Sequence, residues 1–333
     1  MRHSLFVVSM LLITLILLSC GAEVITRLIG GRPATFLYSG SFRSGTTDWD
    51  VTYGVTADNL RVTCGISSTP TPTRTFAVIG DSFAFGVGVA DCQDLTSQLQ
   101  LIYPRARFVN YGTPGIGMDE YEMIARDMIP PDVTDIIMLF YGNDITEIDD
   151  DRPLLGKLAD VSSAMALLRR IKRALSIKLY IVNARINESL PVFNNVQALA
   201  RDNSDYFLNV AQPPEKDLAK FRTRFNRLMR RFIAAVPRDR IWIAEAPEAT
   251  TISKQSRDFE LGLGMALPIL GTPGSGYEEI RRLASAEKVH FIDLFPAFLA
   301  APDNLYLAHD LHWSANGHRL AADVIAASLT SPR

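Results

Sequence analysis

The serine at position 82 occupies a place in this sequence where a nucleophile would be useful. It ends Gly80-Asp81-Ser82, a tripeptide that directly follows the short apolar run Phe76-Ala77-Val78-Ile79. Such a run predicts a buried strand that breaks into a tight turn. A serine just beyond the end of a central strand is held by the scaffold, is open to a ligand and lies among outward-pointing backbone N–H groups. Taken alone, the tripeptide also fits a structural turn without a catalytic role. The rest of the sequence is needed to distinguish the two alternatives.

The strand and its turn resemble the first block of the GDSL/SGNH hydrolase superfamily. The block reads Gly80-Asp81-Ser82-Phe83 here, and three further blocks follow along the chain in the family's order. It differs from the Gly-x-Ser-x-Gly elbow of the α/β-hydrolases, because Ala84 stands where the second glycine of that elbow would be. The resemblance implies a serine hydrolase with Ser82 as its nucleophile.

The second block offers a backbone donor for the oxyanion of the reaction. Asn110 ends a predicted strand, and Gly115 follows five residues later, as in the family. The resemblance implies that the N–H of Gly115 faces the oxyanion, with Gly112 as the alternative. Glycine suits this task because backbone without a Cβ atom can approach the substrate closely.

The third block offers a side-chain donor. Gly142-Asn143-Asp144 follows the most hydrophobic predicted strand of the mature chain, residues 135–141. The resemblance implies that Asn143 donates a further hydrogen bond to the oxyanion. An amide donates without carrying a charge that must be neutralised at rest.

The fourth block holds the candidate base and acid. The chain has five histidines, and three of them lie close together near the C-terminus. His312 precedes a Ser-x-x-Gly that opens the final helix, and it matches the family's catalytic histidine. Most family members have an aspartate three residues earlier, where this chain has His309. Asp310 is the implied acid, because some envelope members, including alginate acetylation proteins, use an Asp-x-His spacing. The alternative is that His309 faces His312, with Asp303 as a more distant carboxylate.

Together these residues imply ester chemistry. Ser82 would attack an ester carbonyl, with His312 as general base and then general acid. Asp310 would fix the imidazole tautomer, and the N–H groups of Ser82 and Gly115 with the Asn143 amide would hold the oxyanion. The resemblance implies no metal and no cofactor.

Five predicted strands position these blocks, and predicted helices separate them. The strands are residues 76–79, 107–111, 135–141, 240–244 and 289–294. Such alternation predicts an α/β protein of three layers, with a five-stranded parallel sheet and helices on both faces. We expect the flavodoxin-like order 2-1-3-4-5 of the SGNH fold, with the site at the carboxyl ends of the strands.

The N-terminal residues 1–22 predict a signal peptide or a membrane anchor. A basic start precedes the apolar run 5–18, and Ser19-Cys20-Gly21 closes it. Cleavage before Cys20 would give a lipoprotein, whereas the uncleaved segment would be a single membrane anchor. Both alternatives tether the protein to the membrane and put the remainder in the bacterial envelope, on the extracytoplasmic (periplasmic) side.

The remainder is expected to be an accessory segment and linker, 23–74, and a hydrolase domain, 75–333. One or two short strands are predicted within 49–63, without any chemistry. An insertion at about 149–214 is long for a connection and predicts a lid or a wall over the strand ends. Its basic cluster, 169–173, is typical of a solvated helix face, with an anionic substrate or lipid headgroups as the alternative.

The cysteines and the net charge indicate which covalent link and which classes of partner to expect. Cys64 and Cys92 flank the first strand, and they are either a disulfide or two separate thiols. A formal net charge of −2 without a basic stripe argues against nucleic acid as a partner. A small-molecule or glycan ester is the expected substrate.

The resemblance leaves several functions open. The first is hydrolysis or transfer of a short acyl ester, such as O-acetyl on a glycan, since water and a sugar hydroxyl are equivalent acceptors chemically. The second is a lipase or thioesterase that acts on longer acyl chains. The third is a carbohydrate-binding protein of the same fold without catalysis.

Overall fold

The computed structural model describes residues 21, 40–45, 48–56, 60–66, 72–146, 203–301 and 304–330, with the backbone alone for 40–45. The predicted leader apart from residue 21, the predicted insertion up to 202 with its basic cluster, and Asp303 lie outside these ranges. The sheet and the candidate site belong to a unit that comprises Ser41–Gly54, Leu60–Ile148 and Arg185–Arg333. Of a second unit, only residues 21, 40, 55 and 56 are described. None of the helices in the described ranges is both long enough and apolar enough to cross a bilayer.

A parallel sheet forms the centre of the main unit. The described strands are β1 Gly40–Gly45, β2 Asp50–Val55, β3 Thr75–Ile79, β4 Arg107–Asn110, β5 Asp135–Phe140, β6 Ile241–Glu245 and β7 His290–Ile292. Strands β1 and β2 pair with each other, and the other five form one sheet in the order β4-β3-β5-β6-β7. Every neighbouring pair in that sheet is parallel. The predicted five-stranded parallel sheet and its order 2-1-3-4-5 are therefore confirmed.

Helices lie along both faces of this sheet. Their bounds are α1 Ser82–Phe85, α2 Leu95–Ile102, α3 Met118–Asp127, α4 Asn143–Thr146, α5 Tyr206–Ala211, α6 Glu215–Ala235, α7 Ala249–Ile252, α8 Lys254–Gly262, α9 Ser275–Glu287, α10 Phe295–Ala300 and α11 Ala315–Thr330. One face of the sheet packs against α3, α6 and α9. The opposite face packs against α1, α2, α10 and α11. This is the three-layer architecture that the sequence predicts.

The central strand β5 shows why the strands of this sheet can be predicted from the sequence. Successive side chains of a strand point to opposite faces. Ile136 and Met138 belong to one core, whereas Ile137 and Leu139 belong to the other. Because helices cover both faces, every residue of β5 is buried, and after Asp135 the strand is a continuous apolar run rather than an alternating pattern.

One predicted helix begins later than expected, and one of the one or two predicted accessory strands is present. The apolar spacing of Leu95, Leu99 and Ile102 predicts a helix over 91–102. The observed helix begins at Leu95, because the Asp94 side chain accepts a hydrogen bond from Ser97 N at 3.1 Å and caps the helix there. Within the segment predicted to hold accessory strands, β2 is present. Around Arg61, however, there is only an isolated bridge to Asn110.

The two cysteines that flank β3 are bonded to each other. Cys64 and Cys92 form a disulfide, with their Cα atoms 5.0 Å apart. This resolves the alternative that the sequence left open. The bond attaches the accessory segment to the loop that follows α1.

The end of the predicted insertion packs onto the sheet edge. In α5, Phe207 and Val210 are buried. A Cβ atom on Gly142 would lie 2.6 Å from both Cγ1 and the backbone oxygen of Val210. Only glycine allows α5 to approach the turn after β5 this closely.

Candidate active site

Ser82 is the first residue of α1, at the carboxyl end of β3. The Asp81 side chain accepts a hydrogen bond from Phe83 N at 2.9 Å and starts the short helix. The turn also needs a glycine, because a Cβ atom on Gly80 would lie 2.6 Å from the backbone oxygen of Leu139. Phe83, Ala84 and Phe85 are buried below it. The scaffold therefore fixes the backbone of Ser82 on both sides.

The predicted nucleophile, base and acid lie in one hydrogen-bonded chain. The Ser82 Oγ atom lies 2.7 Å from Nε2 of His312. On the other side of the ring, Nδ1 of His312 is hydrogen-bonded to Oδ1 of Asp310. The same oxygen accepts the backbone N–H of His312 at 2.9 Å. A carboxylate at Nδ1 favours a proton on that nitrogen, which leaves Nε2 free to accept the proton of the serine hydroxyl.

The electrostatic environment favours a charged imidazole. Burial lowers the pKa of His312, but the charge of Asp310, its hydrogen bond and the charge of Asp81 outweigh burial and hold that pKa above its ordinary value. Burial raises the pKa of Asp310, but the charge of His312 and the hydrogen bonds from it outweigh burial and keep the pKa below its ordinary value. The pair is therefore suited to receive a proton from Ser82.

A narrow loop before α11 carries the acid and the base. The N–H of Leu307 donates to the carbonyl oxygen of His312 at 3.0 Å, and Tyr306 forms an antiparallel bridge with Trp313. The fully buried Trp313 anchors the end of this loop. Ser314 caps α11, as the sequence predicts, since its Oγ accepts from the N–H groups of the helix's first turn.

His309, at the position where the family mostly has its aspartate, has a different partner. Its ring Nδ1 pairs with Oδ1 of Asp48 at 2.6 Å, and its backbone N–H donates to Oδ2 of the same residue at 2.6 Å. The structure thus places Asp310, and not His309, at the imidazole of His312.

The two glycines of the second block have different environments. Gly112 is packed against α1, because a Cβ atom there would lie 2.2 Å from Phe85 N, and its N–H already donates to Asn110 Oδ1 at 2.8 Å. Gly115 has φ 69°, and a Cβ atom there would have no neighbour within 4 Å. Within the described residues, the N–H groups of Gly115 and Ser82 have no acceptor. Gly115 is therefore the better placed of the two for an oxyanion.

Asn143 begins α4, and the buried Oδ1 atom of its side chain has no hydrogen-bond partner in the described ranges. Its neighbour Asp144 has the structural role, since it accepts from Tyr141 N at 2.9 Å and from the Tyr121 hydroxyl at 2.8 Å. These bonds fix the turn and leave the Asn143 amide available to a ligand. No hydrogen bond between described residues joins Asn143 or Gly115 to Ser82, His312 or Asp310.

The accessory segment contributes contacts that the sequence did not indicate. The Tyr53 hydroxyl accepts the N–H of Gly88 at 2.8 Å. The guanidinium of Arg61, which is almost fully buried, donates to the carbonyl oxygens of Phe85 and Gly86 at 2.6 and 2.5 Å. The segment therefore braces the loop behind the nucleophile. An arginine within an otherwise apolar patch was the one signal of such a role.

Three buried glutamates lie at the end of β6 and after it, namely Glu245, Glu248 and Glu260, and the sequence did not single them out either. Burial raises the pKa of Glu245 and of Glu260, the latter to about 7. Glu248 accepts a hydrogen bond from the Tyr141 hydroxyl. Glu245 and Glu248 line a small cavity together with Gly142. In the described part of the chain, no group of three or more His, Cys, Asp or Glu side chains is arranged to hold a metal ion.

Fold and site together define a three-layer α/β protein with a Ser-His-Asp triad at the carboxyl edge of its sheet. No protein-family model and no curated protein sequence matches the chain. Solved structures similar to it include a member of the lipolytic protein G-D-S-L family from Veillonella parvula DSM 2008. That protein is 12% identical in sequence, and the two structures align with a TM-score of 0.43 over 78% of this chain and 100% of that one.

Two further similar structures are also esterases or lipases by description. The lipase/acylhydrolase from Enterococcus faecalis is 13% identical, with a TM-score of 0.43 over 77% of this chain and 95% of that one. A carbohydrate esterase family 2 enzyme with a carbohydrate binding domain, from Corynascus thermopiles (Myceliophthora fergusii), is 12% identical, with a TM-score of 0.44 over 79% of this chain and 68% of that one. Because all three TM-scores are below 0.5, the function of this chain has to be argued from its own site.

Proposed function

We propose that the protein is a serine esterase of the SGNH/GDSL type. The observation that carries this proposal is the continuous hydrogen-bonded chain from Ser82 Oγ through the His312 ring to Asp310. Three side chains from two distant parts of the sequence meet there in the arrangement that nucleophilic catalysis requires.

In the first half of the reaction, Ser82 Oγ attacks the carbonyl carbon of the ester while His312 Nε2 takes the hydroxyl proton. The tetrahedral intermediate then collapses as Nε2–H protonates the leaving alcohol oxygen, and an acyl-serine remains. In the second half, His312 deprotonates water or another hydroxyl, which attacks the acyl-serine and restores Ser82. Asp310 stabilises the imidazolium in both halves.

Neutral donors stabilise the negative charge that develops on the carbonyl oxygen. We assign this role to the N–H groups of Ser82 and Gly115 and to the amide of Asn143. All three lack an acceptor among the described residues, so each is available to a ligand. In other enzymes one such donor contributes roughly 3 kcal/mol to transition-state stabilisation.

The proposed substrate is a short acyl ester, most specifically O-acetyl on a glycan, outside the cytoplasmic membrane. The Asp-x-His spacing supports this, since envelope members of the superfamily share it. The apolar N-terminal run and the disulfide between Cys64 and Cys92 support an oxidising, extracytoplasmic compartment. The protein would remain tethered there by its N-terminal segment or by a lipid.

Hydrolysis of an aryl acetate by the wild type and by Ser82→Ala tests the enzyme class. We expect turnover by the wild type and its loss in the variant. Equal rates for the two proteins would contradict a Ser82 nucleophile. A marked preference for octanoyl over acetyl esters would instead favour the lipase or thioesterase alternative.

Adding an oligosaccharide to the same assay separates hydrolysis from transfer. If water is the acceptor, the rate of acetate release stays constant. If acetylated oligosaccharide forms faster than acetate, the protein is an O-acyltransferase that uses the same triad.

A further inference from the structure

Asp48 holds the residue that directly precedes the catalytic acid. Its buried carboxylate uses both oxygens on one residue: Oδ2 accepts the backbone N–H of His309, and Oδ1 pairs with the His309 ring, each at 2.6 Å. One carboxylate therefore fixes both the main chain and the side chain of His309. The ring of His309 also meets Phe259 edge to face, with ring centroids 4.9 Å apart.

This contact lies at the tip of the loop that carries the acid and the base. The base of the loop is closed by the bond from Leu307 N to the carbonyl oxygen of His312 and by the bridge between Tyr306 and Trp313. Asp310 projects from the tip, two residues before His312. A loop supplies less rigidity than a helix or strand, so the orientation of Asp310 depends on what anchors the tip.

The chain segment that supplies Asp48 also contacts the other half of the site. A few residues further on, in β2, the Tyr53 hydroxyl holds the N–H of Gly88, and Gly54 N donates to Asp91 at 2.9 Å. The segment from Asp48 to Gly54 thus touches the loop behind the nucleophile and the loop that bears the acid. It links the two parts of the chain whose relative position sets the distance between serine and histidine.

We propose that Asp48 is a positioning residue for the triad: through His309 it holds the loop tip so that Asp310 faces Nδ1 of His312. This inference rests on the proposed function and extends it to the accessory segment. Catalysis is sensitive to such positioning, because a displacement of about 1 Å in a catalytic group can lower the rate roughly 100-fold.

Steady-state kinetics of Asp48→Asn test the proposal. The asparagine keeps the size of the side chain but presents only one acceptor oxygen to His309, so we expect kcat to fall about 10- to 100-fold while KM changes less than about 2-fold. His309→Ala retains the backbone bond to Oδ2 and should lower kcat by a smaller factor. Asp323→Asn removes an exposed carboxylate of α11, away from the Asp48–Gly54 segment, and is the matched control, with kcat unchanged.

An NMR titration measures the pKa of the His312 ring without any need for turnover. If Asp48 had a merely structural role, its substitution would leave this pKa unaltered. The groups that act on this ring are Asp310 and Asp81. If the loop tip loosens, the pKa of His312 moves down toward the ordinary histidine value in Asp48→Asn, and in the same direction in His309→Ala, where the Asp48 charge is retained. Asp323→Asn should leave the titration unchanged.

The two readouts separate failure of this inference from failure of the proposed function. A folded wild type that hydrolyses no ester contradicts the esterase, and the His312 titration still decides the role of Asp48. If Asp48→Asn does not fold, the same measurements on His309→Ala test the role of the contact between Asp48 and His309. The His309 ring is part exposed, so its removal leaves the core intact. Unchanged kcat and an unchanged His312 titration in the folded variants would overturn the inference.

Discussion

The Nε2 atom of His312 lies 2.7 Å from the Oγ atom of Ser82, although 230 positions of sequence separate the two residues. The contact joins the carboxyl end of strand β3 to the loop before the last helix. In a parallel α/β sheet, ligands bind at this edge, where the strand order reverses. The predictions below follow from this contact and from the groups around it.

Asp310→Asn should lower kcat strongly and leave the fold intact. An asparagine can present an N–H to Nδ1 and so favour the wrong tautomer, which in serine proteases lowers kcat by about 10⁴. Side-by-side kinetics with circular dichroism check the prediction. A mild effect would mean that another group orients His312.

Activity should rise with pH as His312 loses its proton. Only the neutral imidazole can accept the serine proton, so kcat/KM falls as pH decreases through the pKa of His312. Burial lowers that pKa, but the charge and the hydrogen bond of Asp310 and the charge of Asp81 together outweigh burial and raise it. The midpoint of the pH profile should therefore lie above the ordinary histidine value. In Asp310→Asn the residual activity should show a lower midpoint. A pH profile of kcat/KM with the same midpoint in both proteins would contradict this assignment.

Asn143→Ala should lower kcat about 100-fold, equivalent to ~3 kcal/mol, with little change in KM. The amide has no hydrogen-bond partner among the described residues, so its removal should not alter thermal stability. Asp144→Ala is the informative comparison. Asp144 fixes the turn through Tyr141 and Tyr121, and its loss should destabilise the fold. Normal turnover by Asn143→Ala would exclude the amide from the oxyanion site.

The buried Glu260 should make the fold less stable as pH rises. Burial raises its pKa from 4.5 to about 7, so the folded state binds more protons than the unfolded state between these values. The resulting stabilisation is fully present below pH 4.5 and is lost as pH rises through about 7. Glu260→Gln should remove this dependence, which amounts to up to ~3 kcal/mol.

Urea unfolding at pH 5 and pH 8 measures the difference. Asp258→Asn, which removes an exposed carboxylate of the same helix α8, serves as the control. If Glu260→Gln and the wild type lose equal stability between the two pH values, Glu260 is not the group responsible.

The sheet and the positions of Ser82 and Asn143 could be predicted from sequence because burial on both faces makes parallel strands continuous apolar runs. Each run ends at the same edge of the sheet, so the residues after β3, β4 and β5 were expected to be neighbours. The resemblance implied Asp310 as the acid through its Asp-x-His spacing, and the structure places that side chain at the ring of His312 in the same loop.

The anchors of the site could not be predicted, because they depend on contacts between distant positions. Asp48 and His309 are 261 residues apart, and nothing in the composition around Asp48 distinguishes it from a surface aspartate. Arg61 stands out in sequence only as an arginine within an apolar patch, and its role depends on contacts of its guanidinium with the distant carbonyl oxygens of Phe85 and Gly86. Glu245 likewise ends a strand like any polar residue, but it is buried beside a small cavity that residues of α5, α9 and α10 also line.

Labelling with a fluorophosphonate tests the central claim most directly, because the probe reacts only with a serine that its histidine has activated. The wild type, Ser82→Ala and His312→Ala are treated side by side with a known serine esterase, and the adducts are located by mass spectrometry. We predict one adduct on the wild type, at Ser82, and none on either variant. A folded wild type that stays unlabelled while the reference esterase reacts, or an adduct at another serine, would contradict the account.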